Sequence, residues 1–273
     1  MSKKVILITG ASSGIGKETA RRLLSEGYIV YAAARRVEHM QELKELGAIT
    51  VKMDISQEND IKACVDTIIK EQGRIDVLFN NAGYALYGSV EEVSLSDARY
   101  QFEVNLFGLS YITQLILPHM RKQGSGKIIS TSSVAGKIHA PLGAWYHASK
   151  HALEGWSDCL RLEVKKFGIE VVLIEPGSIE TEFAQVSGAP MLKNSGNGPY
   201  RELAKAVAKV HHNSYKPGAA LSPSVVAEKV LQAIKAQKPK TRIALGKMAK
   251  PAIIMSRVLS DRAMDSMVMS MMK

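Results

Sequence analysis

The amino-acid sequence predicts an α/β fold, in which one doubly wound parallel sheet of about seven strands carries helices on both faces. Short apolar runs rich in β-branched residues alternate along the chain with longer segments of helical periodicity. The first of these runs ends abruptly in a glycine-rich turn, after which a helical pattern begins. Apolar strands that alternate with helices are typical of a parallel sheet covered on both sides.

We expect a single domain over residues 1–273, because the length fits one large α/β unit and no stretch of linker composition divides it. The expected strands are residues 3–9, 28–34, 50–53, 75–79, 126–131, 169–175 and 241–245. The expected helices are residues 14–26, 37–46, 57–72, 97–122, 145–167 and 222–237. Residues 182–217 are expected to form a small substrate cap or an ordinary surface insertion, on the evidence of a helical stretch at 200–212 and of Gly188, Pro190, Gly196, Gly198 and Pro199.

The glycine-rich turn, Thr9-Gly10-Ala11-Ser12-Ser13-Gly14-Ile15-Gly16, predicts a dinucleotide-binding site. Its place between a strand and a helix is the context that gives such a glycine spacing its meaning. Gly10 would permit the tight turn and Gly14 would let the backbone approach a pyrophosphate. Gly16 would allow close contact between helix and strand, with the phosphates at the helix N-terminus.

The residues after the second strand favour NADP(H) over NAD(H). An NAD site usually places an acidic residue about 20 positions past the glycines, where it binds the ribose 2′-hydroxyl. This chain has Arg35 and Arg36 there, with no carboxylate before Glu38. A guanidinium can bind a 2′-phosphate through two hydrogen bonds, and Arg35 is the first choice of the two. The alternative is a solvated pair that opens the next helix.

Two further strand ends carry candidate ligand contacts. Asp54 and Ile55 follow the third strand and are placed to hydrogen-bond and enclose an adenine. Residues 80–83, Asn-Asn-Ala-Gly, follow the fourth strand. Their small size would let a loop approach a ligand, although two asparagines also suit an ordinary turn.

A phenol, an ammonium and a hydroxyl form the candidate catalytic group. Tyr146 and Lys150 lie four positions apart, which places them on one face of a helix, and Ser133 precedes the tyrosine by thirteen positions. A nearby ammonium and a bound cationic ring would lower the pKa of the phenol from about 10 toward the working range of a general acid or base. The hydroxyl of Ser133, or that of Ser132, could hold the oxygen of a ketone.

Taken together, these residues resemble the short-chain dehydrogenase/reductase family over about the first 185 residues. The matching positions are Thr9, Gly10, Gly14, Ile15, Gly16, Asp54, Asn80, Asn81, Ala82, Gly83, Asn105, Ser133, Tyr146, Lys150, Pro176, Gly177 and Thr181. The resemblance implies a Rossmann-type fold in which Tyr146 exchanges the proton. Lys150 would lower its pKa and hold the nicotinamide ribose, and Ser133, selected over Ser132 by the spacing, would steady the substrate oxygen. Asn105 would hold a water that links Lys150 to solvent.

The resemblance also implies the cofactor contacts. They are Gly10, Ser12, Ser13, Gly14, Ile15, Gly16, Arg35, Arg36, Asp54, Ile55, Asn81, Ala82, Gly83, Tyr146, Lys150, Pro176, Gly177, Ile179 and Thr181. Residues 31–36 and 81–85 are similar to those of the hydroxysteroid and retinol dehydrogenase-like groups. Enoyl reductases are not expected, because they place their lysine where this chain has Leu153. Helices 97–122 and 145–167 would pair across subunits as a homodimer or homotetramer.

The charge of the chain is unevenly distributed. Residues 200–273 contain 14 Lys and Arg against 4 Asp and Glu, and so account for the whole net charge of +10. A solvated surface is the first interpretation, ahead of attraction of anionic substrates or contact with an acidic membrane surface. Nucleic-acid binding is not expected, because the basic residues are not interleaved with aromatic ones.

The tail, residues 247–273, is basic and rich in methionine. Its methionines are Met248, Met255, Met264, Met267, Met269, Met271 and Met272. Because methionine is flexible and apolar, we expect packing in the core or on a partner subunit first, a pocket wall second and an amphipathic helix on lipid third.

The expected function is that of an NADP(H)-dependent oxidoreductase that interconverts a lipophilic secondary alcohol and a ketone. The alternative is a cofactor-binding sensor or scaffold without catalysis. Cys64 and Cys159 are expected to be core thiols, and with no apolar leader sequence the protein is expected to be cytoplasmic. No metal is expected, since His139, His147 and His151 lack ligand spacing.

Overall fold

A computed structural model describes residues 3–182, 191–216 and 218–272 of the chain. Its centre is one parallel sheet with the strand order β3-β2-β1-β4-β5-β6-β7. The strands are β1 Val5–Thr9, β2 Ile29–Ala34, β3 Ile49–Lys52, β4 Val77–Asn80, β5 Gly126–Thr131, β6 Ile169–Pro176 and β7 Arg242–Leu245. The seven-stranded parallel sheet expected from the sequence is therefore confirmed.

Helices cover both faces of this sheet. They are α1 Gly14–Ser25, α2 Gln41–Glu45, α3 Glu58–Gln72, α4 Leu95–Phe102, α5 Gly108–Gln123, α6 Ala144–Val164, α7 Arg201–Ser214, α8 Pro223–Lys235, α9 Ala249–Val258 and α10 Asp261–Ser270. Apolar residues of α1, α2 and α8 bury one face, including Leu23, Leu43 and Val230. Those of α3, α5 and α6 bury the other, including Ile68 and Ile116. The doubly wound arrangement follows from these two apolar layers.

The strand order reverses between β1 and β4, which lie side by side although two strands separate them in the sequence. Connections from these two strands leave the carboxyl edge in opposite directions and open a crevice between them. The register pairs Ile8 with Phe79, so the glycine-rich turn after β1 and the Asn-Asn-Ala-Gly turn after β4 meet at this crevice. The fold thus positions the candidate cofactor residues together.

The prediction of a single helix over residues 97–122 is wrong in detail. The structure has α4 and α5 there, joined by a π-helical segment over Glu103–Phe107. Gly108 begins α5 against the backbone of Ile55, where a Cβ atom would lie 1.8 Å from the Ile55 carbonyl oxygen. This contact is remote in sequence, so periodicity could not predict it. The helix expected over 37–46 likewise begins as a 3₁₀ turn at Val37–Met40.

Part of the expected cap lies among the described residues. Residues 191–195 are helical, and Met191 packs with Ala204 and Val207 of α7 and with Leu142. Gly188 and Pro190 lie outside the described residues. The covering role of this segment remains a prediction.

The basic tail forms α9 and α10, which the sequence interpretation did not delimit. Ala249 and Ile253 of α9 pack on Val134, and α10 buries Met264 and Val268. Met248, Met269 and Met271 are exposed, so tail methionines occur both in the core and at the surface. Within the described ranges, every helix is too short or too polar to cross a membrane.

Candidate active site

A cavity of about 710 Å³ opens at the carboxyl edge of the sheet, over the switch between β1 and β4. Almost every predicted site residue lines it. They are Gly10, Ser12, Ser13, Gly14, Ile15, Arg35, Arg36, Asp54, Ile55, Asn81, Ala82, Gly83, Ser133, Tyr146, Lys150, Pro176, Gly177, Ile179 and Thr181. Gly16 and Asn105 lie behind the wall rather than in it.

The glycine-rich turn is packed too closely for larger residues. Gly10 has a left-handed φ of 68°, and a Cβ there would lie 2.8 Å from the Ala82 Cα. A Cβ on Gly16 would lie 2.4 Å from the Gly10 carbonyl oxygen. The turn therefore presents bare backbone at the N-terminus of α1, which suits a pyrophosphate and fits the expected dinucleotide.

Thr9 joins this turn to the one after β4, a role that the sequence analysis did not assign. Its Oγ1 accepts hydrogen bonds from the backbone nitrogens of Asn81 and Ala82, both at 3.0 Å. The Asn81 side chain donates in return to the carbonyl oxygens of Thr9 and Gly10, both at 3.2 Å. Asn81 thus holds the cradle together besides lining the cavity.

Both candidate arginines flank the cavity beside this cradle. The Nη2 of Arg36 lies 3.5 Å from the Ser13 Oγ and 3.2 Å from a carboxylate oxygen of Glu182. The Nη1 of Arg35 lies 3.1 Å from the Tyr100 hydroxyl and 3.9 Å from a carboxylate oxygen of Asp54. Their side chains are 65% and 46% exposed for Arg35 and Arg36 respectively, so both guanidiniums can reach a ligand at the edge of the cavity.

Ser133 and Tyr146 are hydrogen-bonded to each other through their hydroxyl groups. Ser133 caps the 3₁₀ turn Val134–Gly136, where its Oγ accepts from the Ala135 nitrogen at 3.1 Å, and it lies 3.3 Å from the Pro176 carbonyl oxygen. The neighbouring Ser132 Oγ is buried, and none of the described residues bonds to it. The geometry therefore favours Ser133 as the hydroxyl that acts with Tyr146.

The pKa of Tyr146 differs from the sequence expectation. Burial raises it to about 12, and the hydrogen bond with Ser133 opposes that rise. The expected lowering by Lys150 is therefore not found in the protein alone, because the ammonium lies 6.0 Å from the centre of the phenol ring and desolvation is the larger effect.

Lys150 lies on the same face of α6 as Tyr146, as the spacing predicts. Its Nζ donates to the Thr131 carbonyl oxygen at 2.8 Å. Burial lowers the pKa of Lys150 to about 8, and the carboxylate of Glu154 opposes this. A Cβ on Gly83 would lie 3.8 Å from the Lys150 Nζ, so the Gly83 backbone passes close to the ammonium.

Asn105 stabilises the π-helical segment from behind the cavity. Its Oδ1 accepts from the Tyr84 nitrogen at 3.1 Å, and its Nδ2 donates to the Tyr84 carbonyl oxygen at 3.0 Å and to the Ser149 hydroxyl at 3.1 Å. Because these bonds engage both polar atoms of the side chain, the water contact implied by the resemblance remains a prediction.

The far wall of the cavity was missed by sequence reasoning. Apolar and aromatic side chains form it: Tyr87, Val134, Ala135, Ile138, Ala140 and Tyr215. The Tyr87 ring lies 5.8 Å from that of Tyr146, and burial raises the pKa of Tyr87 and of Tyr215. His147, expected to be solvated or packed, is buried beside this wall, with its Nδ1 2.7 Å from the Ile138 carbonyl oxygen.

A dinucleotide cradle next to a Ser–Tyr–Lys cluster in a doubly wound sheet is characteristic of nicotinamide-dependent oxidoreductases. The family model "short chain dehydrogenase" matches residues 4–191. An uncharacterized oxidoreductase of Escherichia coli, YbbO, is 35% identical over 97% of this chain and 94% of its own. The NADPH-dependent 3-dehydrocapnine reductase of Ornithobacterium rhinotracheale is 35% identical over 95% of this chain and 94% of its own. The 3-ketodihydrosphingosine reductase of Bacteroides thetaiotaomicron is 41% identical over 67% of this chain and 66% of its own.

Solved structures agree with these relatives. A short-chain dehydrogenase from Streptomyces avermitilis superposes with a TM-score of 0.84 and 31% identity, over 98% of this chain and 95% of that one. A serine dehydrogenase in complex with NADP⁺ has a TM-score of 0.76 at 29% identity, over 88% and 94%. A short chain dehydrogenase/reductase from Burkholderia phymatum in complex with NAD has a TM-score of 0.80 at 25% identity, over 97% of this chain and 95% of that one. The chain belongs to the short-chain dehydrogenase family, and it is an oxidoreductase for which a nicotinamide cofactor is supported.

Proposed function

We propose that the protein is an NADP(H)-dependent oxidoreductase that interconverts a lipophilic secondary alcohol and a ketone. The observation that carries the proposal is the hydrogen-bonded pair of Ser133 and Tyr146, which faces the same cavity as the glycine cradle. When bound, the dinucleotide would supply or accept the hydride. The backbone at Gly14, at the N-terminus of α1, would approach its phosphates, and Lys150 would hold its nicotinamide ribose.

The side chains account for the remaining chemistry. In reduction, Tyr146 would donate its proton to the ketone oxygen, and Ser133 would stabilise the charge that develops on that oxygen. Lys150, fixed by Thr131, supplies positive charge behind the phenol. A bound cationic ring would add to that charge and pull the pKa of Tyr146 back from its raised value.

The preference for NADP(H) is supported by Arg35 and Arg36, whose guanidiniums flank the cradle next to Ser13. Asp54 and Glu182 lie within reach of these guanidiniums and moderate the local positive charge. One relative is named NADPH-dependent, which points the same way. Hydrogen bonds between a guanidinium and a 2′-phosphate contribute about 1.5–3 kcal/mol each.

The cofactor preference can be tested with single and double alanine variants of Arg35 and Arg36. We expect kcat/KM for NADPH to fall by roughly tenfold to a hundredfold while kcat/KM for NADH changes little. Arg121→Ala is the matched control, because Arg121 is exposed and stacks on Phe167, away from the cavity. Equal losses with both cofactors would contradict the proposal.

The lipophilic character of the substrate is supported by the far wall of the cavity, where Val134, Ile138, Tyr87 and Tyr215 lie. Tyr215 follows the last turn of α7, so the cap segment contributes to this wall. Two relatives are named as reductases of 3-ketodihydrosphingosine and of 3-dehydrocapnine, which supports ketone reduction.

NADPH consumption with a series of methyl ketones of increasing alkyl length tests this part. Each buried CH₂ contributes about 0.8 kcal/mol, so kcat/KM should rise roughly threefold to fourfold per carbon until the cavity is filled. Ile138→Thr should reduce this dependence on length without changing the KM for NADPH. No oxidation of NADPH with any ketone, aldehyde or steroid would favour the non-catalytic sensor instead.

A further inference from the structure

Two carboxyl groups, those of Glu154 and Glu175, are buried next to each other behind the candidate site. Each residue is only 3% exposed, and neither lines the large cavity. Glu154 lies one helical turn after Lys150 on α6. Glu175 directly precedes Pro176 at the end of β6. The two glutamates therefore belong to α6 and β6, the segments that carry the predicted site residues Lys150 and Pro176.

The surrounding cations bind only some of the four carboxylate oxygens of Glu154 and Glu175. The Glu154 Oε2 lies 2.7 Å from the Lys137 Nζ and 3.0 Å from the Arg242 Nε. The same Nε of Arg242 lies 3.3 Å from the Glu175 Oε1. Within the described residues, no nitrogen or hydroxyl donates a hydrogen bond to the Oε1 of Glu154 or of Glu175, and the Arg242 Nε reaches the Glu175 Oε1 only as an ion pair. Two buried acceptors without donors are costly in a native interior.

A proton shared between the two carboxyl groups would remove the cost of these buried acceptors. Two carboxylates in contact repel each other, whereas a carboxylic acid donates a hydrogen bond to its neighbour. Both carboxyl groups contact the same nitrogen, the Nε of Arg242, which places them side by side. Burial, followed by the charge of Glu154, raises the pKa of Glu175 to about 7, while Lys137 and Arg242 oppose the rise.

We propose that Glu154 and Glu175 share one proton and that this singly charged pair positions Lys150 and the Pro176–Gly177 turn for the reaction. Glu154 favours the charged form of Lys150, which would otherwise lose its proton more readily on burial. Lys137 directly follows the 3₁₀ turn capped by Ser133, so the same carboxylate holds that turn. The Pro176 carbonyl oxygen in turn lies 3.3 Å from the Ser133 hydroxyl.

Charged and titratable groups face the pair from each element packed against it. They are Lys137 after the 3₁₀ turn, Lys150, His151 and Asp158 on α6, Arg242 on β7 and Arg257 on α9. Asp158 already receives the Arg242 Nη2 at 2.7 Å and a nitrogen of Arg161, so it does not need a proton. Asp158→Asn is therefore the matched control, because it removes a neighbouring carboxylate that also binds Arg242 but is not a member of the pair.

Infrared spectroscopy of the cofactor-free protein tests the shared proton directly. At about pH 6 the wild type should show the C=O stretch of a protonated carboxyl group, which should disappear in Glu175→Gln and persist in Asp158→Asn. A spectrum without such a band, or a band that Glu175→Gln leaves in place, would overturn the proposal.

Thermal unfolding gives a second readout that needs no substrate. With a raised pKa, Glu175 keeps its proton in the folded protein and releases it in the unfolded one between its ordinary value of 4.5 and about 7. Its contribution to stability is therefore present below that window and is lost as the pH rises through it. The fall in Tm from about pH 5 to about pH 7 should be smaller in Glu175→Gln than in the wild type or Asp158→Asn. Equal falls would overturn the shared proton.

The positioning role, which rests on the proposed function, is tested by turnover. Glu175→Gln keeps a donor toward Glu154 at every pH, so the ratio of kcat at about pH 8 to that at about pH 6 should rise at least about threefold over the wild type. Glu154→Gln should lower kcat about tenfold or more, with little change in KM for the ketone. The positioning role would be overturned if Glu175→Gln left the ratio of kcat values unchanged and Glu154→Gln left kcat unchanged. Failure of the proposed function would instead appear as no ketone turnover in the wild type, with the infrared and thermal results intact.

Discussion

The ammonium of Lys150 donates a hydrogen bond to the carbonyl oxygen of Thr131, 2.8 Å away. This bond links α6 to the end of β5 and fixes the charge between helix and sheet. Lys127, at the other end of β5, is also held by carbonyl oxygens, with its Nζ 2.7 Å from that of Ile234. Burial lowers the pKa of both lysines to about 8. Both lysines are buried to similar effect, but only Lys150 lines the cavity. A comparison of variants at the two positions therefore distinguishes a role of Lys150 in the reaction from the general effect of removing a buried lysine.

Lys150→Met should reduce turnover by roughly a hundredfold or more, since the charge beside the acid–base group is lost. Lys127→Met should leave the turnover of the folded protein close to that of the wild type. NADPH consumption at saturating ketone measures both. Comparable losses in the two variants would show that the charge of Lys150 has no special role.

The alkaline stability of the protein should depend on both lysines. A folded pKa of about 8, below the ordinary value of 10.5, means that each lysine contributes stability that is fully present above 10.5 and is lost as the pH falls through 8. Thermal unfolding of the cofactor-free protein between those two pH values should show a rise in Tm that is smaller in either methionine variant. A rise equal to that of the wild type in both would contradict the lowered pKa values.

Ser133 and Ser132 are adjacent but have different surroundings. Ser133→Ala removes the hydroxyl bonded to Tyr146 and should lower kcat by about 10²–10³. Ser132→Ala removes a buried oxygen that none of the described residues bonds, so kcat should stay within a few-fold of the wild type. The reverse order of effects would transfer the role to Ser132.

The expected subunit pairing through α6 can be tested at Gly155. This residue is exposed, and a Cβ atom there would meet none of the described residues outside its own stretch of α6 within 4 Å. Gly155→Arg should therefore leave the circular dichroism spectrum unchanged while an oligomer dissociates, as judged by light scattering after gel filtration. Thr67→Arg, on the exposed face of α3, is the control and should keep the oligomer. A wild type that is already monomeric would contradict the expectation.

The sheet and the cofactor cradle could be predicted because their determinants are local. Strands such as Val5–Thr9 are continuous apolar runs, and the turn at Gly10 needs a left-handed backbone that glycine adopts readily. The spacing of Tyr146 and Lys150 likewise needs only a regular helix. These features follow from neighbouring residues, which a sequence displays directly.

Features that depend on distant contacts were missed. The π-helical segment before α5 is held by Asn105 on Tyr84 and by the approach of Gly108 to Ile55, which no helical period records. The raised pKa of Tyr146 results from burial under segments remote in sequence. Glu154 and Glu175 come together only when α6 packs on β6, so neither glutamate was singled out by the sequence.

Tyr146→Phe provides the most direct test of the central claim, because it removes one hydroxyl and keeps the ring that packs on Tyr87. NADPH affinity, measured by fluorescence titration, should remain within about threefold of the wild type, while ketone-dependent NADPH oxidation should fall by roughly 10²–10⁴. Substantial turnover by this variant with the best ketone of the series would contradict the assignment of Tyr146 as the proton donor.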